Sequence, residues 1–352
     1  HLVFFGTEET IGDPTTQDEM FIRFSDQEDI NTYQPTAVNT AGTQRLADGS
    51  KIVGAVRGRD ATYIWTDTSL FTMRFIGQPL TFGFQQVGTN CGLIGQNAAL
   101  EVDGAAYWLS ENGFFRYSGS LETMTCLVED FVYNDLNTTA NQLINVGLNN
   151  LFGEITWFYC TESSTVINRC VTYNYMDSSP QRPVWTTGSL NRGSWQDSSV
   201  FGLPHATFFN ASDDASFDVQ GNTEGSTIYF EHEKGTDEAL ANGINAVTSN
   251  IESGDFDITQ ARSSTGQQTG VATFKGDGEF LMKIRRFIPD FLSQTGNTQV
   301  TLQLRNYPNS SQASSPLGPF TITSSTDKVD TRARARAISL KVANTAVGQS
   351  WK

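Results

Sequence analysis

Trp65, Trp108 and Trp157 stand 43 and 49 residues apart, and each falls in the first strand of a predicted hairpin. Residues 61–65 and 70–75 flank Thr66-Asp67-Thr68-Ser69. Residues 105–110 and 114–118 flank Glu111-Asn112-Gly113, where Asn-Gly is a strong two-residue turn signal. Residues 155–160 and 168–175 flank a polar stretch at 161–166. Hairpins recurring every 40–50 residues are the sequence signature of a β-propeller, in which each repeat is one blade. The repeats share a pattern and hardly any letters, so a β-sandwich with irregular loops is the competing architecture.

The rest of the chain is consistent with an all-β reading. Residues 3–5, 21–24 and 49–56 read as strands. Residues 183–187 with 201–205, and then 227–230, read as further hairpin units. A polar stretch at 231–237 marks a soft boundary. It divides a β-propeller-like domain of antiparallel hairpin blades (1–235) from a C-terminal β-rich region (236–352), which is either sandwich-like or returns to close the propeller. Within that region 237–246 reads as one or two helical turns. Residues 250–258, 272–274, 279–287, 298–306 and 320–324 read as strands, and the Pro- and Ser-rich stretch 308–319 as an exposed loop.

Charge narrows the function classes. The 352 residues carry 23 Lys+Arg against 38 Asp+Glu, net −15. The balance is uneven: residues 273–352 hold 11 basic and 5 acidic side chains, leaving 12 and 33 for the other 272. So acidic a chain is ill suited to wrapping nucleic acid, which needs accumulated positive charge. It suits a surface that DNA passes without sticking. No stretch approaches the roughly 18 apolar residues of a membrane span, and no signal peptide is visible. Beginning at His1, the chain reads as processed or as a fragment.

Catalytic and metal signatures are missing from the letters. The three histidines, His1, His205 and His232, make no metal-ligand spacing, and His232 reads as a structural, hydrogen-bonded side chain. Cys91, Cys126, Cys160 and Cys170 match no zinc pattern and read as small buried side chains. A Cys160–Cys170 bridge is the alternative for that pair. There is no Walker A loop, dinucleotide-binding Gly run, nucleophile elbow or sialidase-type turn repeat. Glu129-Asp130 and Asp213-Asp214 are sequence neighbours that a strand would point to opposite faces; Asp255 and Asp257 sit in a loop-like context. Asn137, Asn210 and Asn309 open glycosylation-type triplets that are common by chance. The runs Phe114-Phe115-x-Tyr117 and Trp157-Phe158-Tyr159 could stack sugars or bases, but blade packing accounts for them better. The expectation is a protein with no catalytic residues, no metal and no cofactor.

Residues 330–342 hold the most distinctive cationic pattern. Arg332, Arg334 and Arg336 alternate with Ala333, Ala335 and Ala337. On one continuous strand the three guanidinium groups would share a face about 7 Å apart, with Ile338 and Leu340 following on that face. Such a ladder needs acids, phosphate or solvent to offset its repulsion. The candidate partners are acids of the same protomer, an acidic surface of a neighbouring subunit, or DNA.

An ordered series of stretches carries a resemblance. It runs Leu2-Val3-Phe4-Phe5-Gly6-Thr7-Glu8, Phe24-Ser25-Asp26-Gln27-Glu28-Asp29, Thr40-Ala41-Gly42-x-Gln44-Arg45-Leu46 and Thr66-Asp67-Thr68-Ser69-Leu70. It continues with Asn90-Cys91-Gly92-Leu93-Ile94-Gly95-Gln96-Asn97, Tyr107-Trp108-Leu109, Ile288-Pro289-Asp290-Phe291 and the Arg-x-Arg-x-Arg strand. Together these resemble the packaged-DNA stabilisation, or tail nozzle, proteins of P22-like podophages across nearly the whole chain. Typical members extend further at both ends. The resemblance implies a β-propeller-based structural subunit that forms a homohexameric ring below the portal and adaptor, with tail needle and fibre or spike proteins nearby. That ring closes the tail channel, retains packaged double-stranded DNA and passes it at ejection. It also implies assembly in the host cytoplasm, residence in the virion tail and no membrane insertion, and it brings no catalytic residues. Two other classes stay open. One is a tail-tip propeller that binds a host-surface glycan through aromatics such as Trp195 or Tyr117. The other is a propeller glycosidase, which would need a convergent acid pair.

Overall fold

The computed structural model describes residues 1–197, 202–209, 227–240, 243–256, 280–307 and 316–352. Two compact units emerge, one ending at Glu233 and the other running from Lys234 to Lys352.

The first unit is a succession of antiparallel meanders. The first sheet joins Val3–Phe5, Phe21–Phe24 and Gly42–Arg45. The second joins Ile52–Arg57, Thr62–Thr66, Ser69–Gly77 and Thr81–Thr89, and the third Ala99–Val102, Ala105–Ser110, Gly113–Tyr117 and Leu121–Thr123. The fourth joins Asn145–Asn149, Glu154–Tyr159, Arg169–Asn174 and Trp185–Gly188; the fifth Ser194–Gln196, His205–Phe209 and Thr227–Glu231. In each sheet the strands pair in chain order; in the second and third this follows from short connections, which leave antiparallel neighbours as the closest partners. Two-residue turns at Asp67-Thr68 and Glu111-Asn112 close the predicted hairpins.

Successive sheets meet along their first strands. Asn97 bridges Asn145 in parallel, and Val146 N–H donates to the Asn97 carbonyl at 3.0 Å. A Cβ on Gly147 would lie 2.5 Å from the Trp195 ring, so only glycine lets the fifth sheet approach the fourth this closely. Tryptophans complete the joints. Trp108 Nε1 donates to the Cys91 carbonyl at 2.8 Å, Trp157 Nε1 to Ala98 at 3.0 Å and Trp195 Nε1 to Leu148 at 2.8 Å. Each ties its own sheet to chain that precedes it. Meanders stacked first strand against first strand have the blade order of a propeller.

One core runs through the second, third and fourth sheets. Trp65, Trp108 and Trp157 are fully buried in it, with Trp65 and Trp108 rings 5.4 Å apart and Phe114 5.1 Å from Trp157. At roughly 25 cal/mol per Å² and 150–250 Å² apiece, each contributes about 4–6 kcal/mol of transfer free energy as an upper bound.

The second unit is sandwich-like. A four-stranded sheet orders Ser249–Glu252, Ala337–Asn344, Thr298–Arg305 and Leu317–Ile322, and a two-stranded ribbon pairs Met282–Phe287 with Val329–Ala335. Met282, Ala333 and Ala335 of the ribbon share a core with Leu302 and Ile338 of the sheet.

Several expectations are corrected. Residues 237–246 form a hairpin, Asp237–Leu240 with Gly243–Ala246, rather than helical turns. Trp185–Gly188 pairs with Arg169–Asn174 as a fourth strand, not with the segment near His205. Leu317–Ile322 begins inside the stretch read as loop. Glu129 and Asp130 sit in a short helix, Glu129–Tyr133, not on a strand. The stretch read as a strand at 272–274, with Asp213, Asp214, Asp257, Asn210 and Asn309, lies outside the described residues.

Candidate functional site

The ribbon of the second unit exposes a cationic face. Its register sets Met282 opposite Ala335, Lys283 opposite Arg334, Ile284 opposite Ala333 and Arg286 opposite Asp330, with an irregularity at Arg285. Alternation then separates the faces. Ala333 and Ala335 are fully buried beside Met282, while Lys283, Arg285, Arg332 and Arg334 are exposed. Alanine suits the inward positions because the opposite sheet brings Leu302 and Ile338 against them.

Arg336 leaves this face. The ribbon strand ends at Ala335, and Arg336 is a bend whose amide donates to the Arg305 carbonyl at 3.0 Å. The next strand, Ala337–Asn344, belongs to the four-stranded sheet. Crossing between sheets reverses the phase, so Ile338 points into the core rather than along the arginine face. The three-rung ladder is therefore two rungs, Arg332 and Arg334, completed by Lys283 and Arg285 from the partner strand. The alternation Met282-Lys283-Ile284-Arg285 repeats the Ala-Arg pattern and was the available signal for those two residues.

Lys283, Arg285, Asp330, Thr331 and Arg332 line an open groove of about 490 Å³. Its one acid is engaged already: Asp330 Oδ1 accepts from Arg286 Nε at 2.5 Å, and this contact holds the Asp330 carboxyl below the usual range. Among the described residues no acid lies within ion-pair distance of Lys283, Arg285, Arg332 or Arg334. Lys283 and Arg334 face each other directly, and like charges so placed across an antiparallel pair are destabilising.

The other sequence candidates are structural. Tyr117 is 6% exposed, and Phe114, Phe115, Trp157, Phe158 and Tyr159 are equally interior, so none offers a stacking surface. Trp195 stacks on Phe158 at 5.7 Å and lies 4.6 Å from the His232 ring. His232 Nε2 accepts from Arg192 Nε at 2.8 Å, and burial, then the Arg192 charge, pushes its pKa down to about 4. All four cysteines are free thiols, Cys160 and Cys170 included, and burial raises Cys91 and Cys170 to about 11. Asp255 pairs with Arg305 at 3.3 Å. Asn137 caps the turn at Thr138–Leu143, its Oδ1 accepting from the Thr139 amide at 3.0 Å. Among the described residues no group of three His, Cys, Asp or Glu could hold a metal ion, and no helix is long and apolar enough to cross a membrane.

No protein-family model matches the chain, and no curated protein matches it.

Proposed function

We propose that this chain is a structural virion protein, one subunit of a ring-shaped phage tail nozzle that closes the tail channel, retains packaged DNA and passes it at ejection. The observation that carries the reading is the cationic ribbon face. Four cations share it with no acid of the described residues at ion-pair distance, Asp330 in the same groove being paired with Arg286, in a molecule of net charge −15. A face so arranged is unfavourable on an isolated protomer and becomes favourable against an acidic surface. In a ring of identical subunits the acidic remainder of the next protomer supplies that surface, a heterologous contact that closes on itself. The predominantly acidic composition supports a conduit along which phosphate slides rather than sticks. Phe75, Ile76 and Leu80, exposed at the tip of the long hairpin of Ser69–Gly77 with Thr81–Thr89, support burial by another subunit as well. The ordered series of tail-nozzle-like stretches gives the assembly its identity: a homohexamer below an adaptor, with no turnover of its own.

Electron microscopy of the purified chain and of the virion tail tests this. Six-fold rings with a channel wide enough for duplex DNA are the expected result. A monomer at all concentrations, absent from tails, overturns it.

A further inference from the structure

A second concavity lies in the first unit, lined by strands of the third and fourth sheets. It has a volume of about 240 Å³, and Tyr107, Tyr173, Tyr175, Arg116, Glu122 and Ser179 line it. Tyr107 and Tyr173 present tilted rings 6.2 Å apart, and Trp185 backs Tyr173 at 4.7 Å. The Arg116 guanidinium carbon sits 5.8 Å from the Tyr107 ring centre, and its Nη1 donates to Glu122 Oε2 at 3.2 Å. Arg116 Nε is buried without a hydrogen-bond partner. The Tyr175 hydroxyl donates to Asn150 Oδ1 at 3.0 Å, so its lone pairs remain to accept. Ser179 Oγ accepts from the Arg182 amide at 3.2 Å, so its proton remains to donate.

We infer that this cleft binds one neutral sugar ring of a larger saccharide. Its volume falls below the roughly 300–1,000 Å³ of drug-sized sites, which sets the guest at a single small ring. Tyr107, 6% exposed and covered by Arg116, only floors the cleft; the half-buried Tyr173 and Tyr175 are the rings that can accept the C–H face of a pyranose. The Arg116–Glu122 pair presents a donor and an acceptor side by side, the complement of two adjacent hydroxyls. Because that pair is already neutralised, an anionic guest would have to displace or face Glu122. A purely apolar guest would strand Arg116 and Glu122 against carbon. The site is distinct from the Trp195 and Tyr117 positions that the sequence singled out.

The test uses the full chain with methyl glucoside, galactoside, mannoside and rhamnoside and with N-acetylglucosamine as probes. Binding is read by saturation-transfer NMR and by Trp185 fluorescence beside the cleft. At least one probe should bind saturably. Glu122→Gln and Arg116→Met should each weaken it roughly ten- to a hundredfold, the loss expected for a hydrogen bond to a charged group, whereas Arg334→Ala should not change it. Glu122 is half exposed, so Glu122→Gln alone decides if Arg116→Met fails to fold. No saturable binding, binding indifferent to Glu122→Gln, or preference for acetate or sulfate over every sugar overturns the assignment.

Discussion

Trp157 reaches from its own sheet to the carbonyl of Ala98, just ahead of the third sheet's first strand, and both residues are fully buried. Trp157→Phe removes the donor, while the Ala98 carbonyl keeps its bond from the Leu109 amide at 3.1 Å. Losing the one hydrogen bond should cost about 0.5–1.5 kcal/mol, with the cavity adding to this, and lower the urea midpoint of the first unit. His232 makes a different kind of demand. Its Nε2 must stay unprotonated to accept from Arg192. The unfolded chain takes up a proton near pH 6.5 whereas the folded one resists it to about 4. The stability this histidine contributes is fully present above pH 6.5 and is lost as pH falls toward 4. Thermal midpoints measured across that window should fall more steeply for the wild type than for His232→Phe. An equal slope in both would show that the histidine is not the titrating group.

Across the two-stranded ribbon, Arg334 and Lys283 repel each other, so Arg334→Glu creates an opposed pair and should stabilise the isolated protomer by about 0.2–1 kcal/mol in a denaturant titration. Ala335→Leu, on the buried face of the same strand, should instead destabilise by about 1–3 kcal/mol through overpacking. These opposite signs on adjacent residues follow from alternation, which was legible in the letters. So were the central hairpins around Trp65, Trp108 and Trp157, whose turns and aromatics are local signals. The flanking strands Ala99–Val102, Asn145–Asn149 and Thr81–Thr89 were not, because their pairing is decided by the sheets they join rather than by their own composition. The break at Arg336 was hidden for a related reason. A chain that changes sheets keeps its alternation on both sides of the corner and reveals the change of phase only against neighbours distant in sequence. Lys283 and Arg285 were placed beside Arg332 and Arg334 by a pairing some 50 residues long in sequence, and no local pattern states that register.

For the whole molecule, if the proposed ring is held through the cationic face, the double change Arg332→Glu with Arg334→Glu should abolish it while leaving the protomer folded, as read by mass photometry and circular dichroism. Raising salt from low to near-molar concentration should weaken the proposed ring, because a contact between exposed charges is screened as the Debye length shrinks from about 10 Å at 0.1 M to about 3 Å at 1 M. Rings unaffected by both treatments would place the contact elsewhere on the subunit. The backward reach of Trp108, Trp157 and Trp195 also has a consequence for biogenesis. A ribosome releases the chain from its first residue, and each tryptophan that emerges finds its carbonyl partner already synthesised. At these three joints each sheet can therefore bed on chain already made, like courses of masonry, and the carbonyls of Cys91, Ala98 and Leu148 wait only until the tryptophan 17, 59 or 47 residues later arrives.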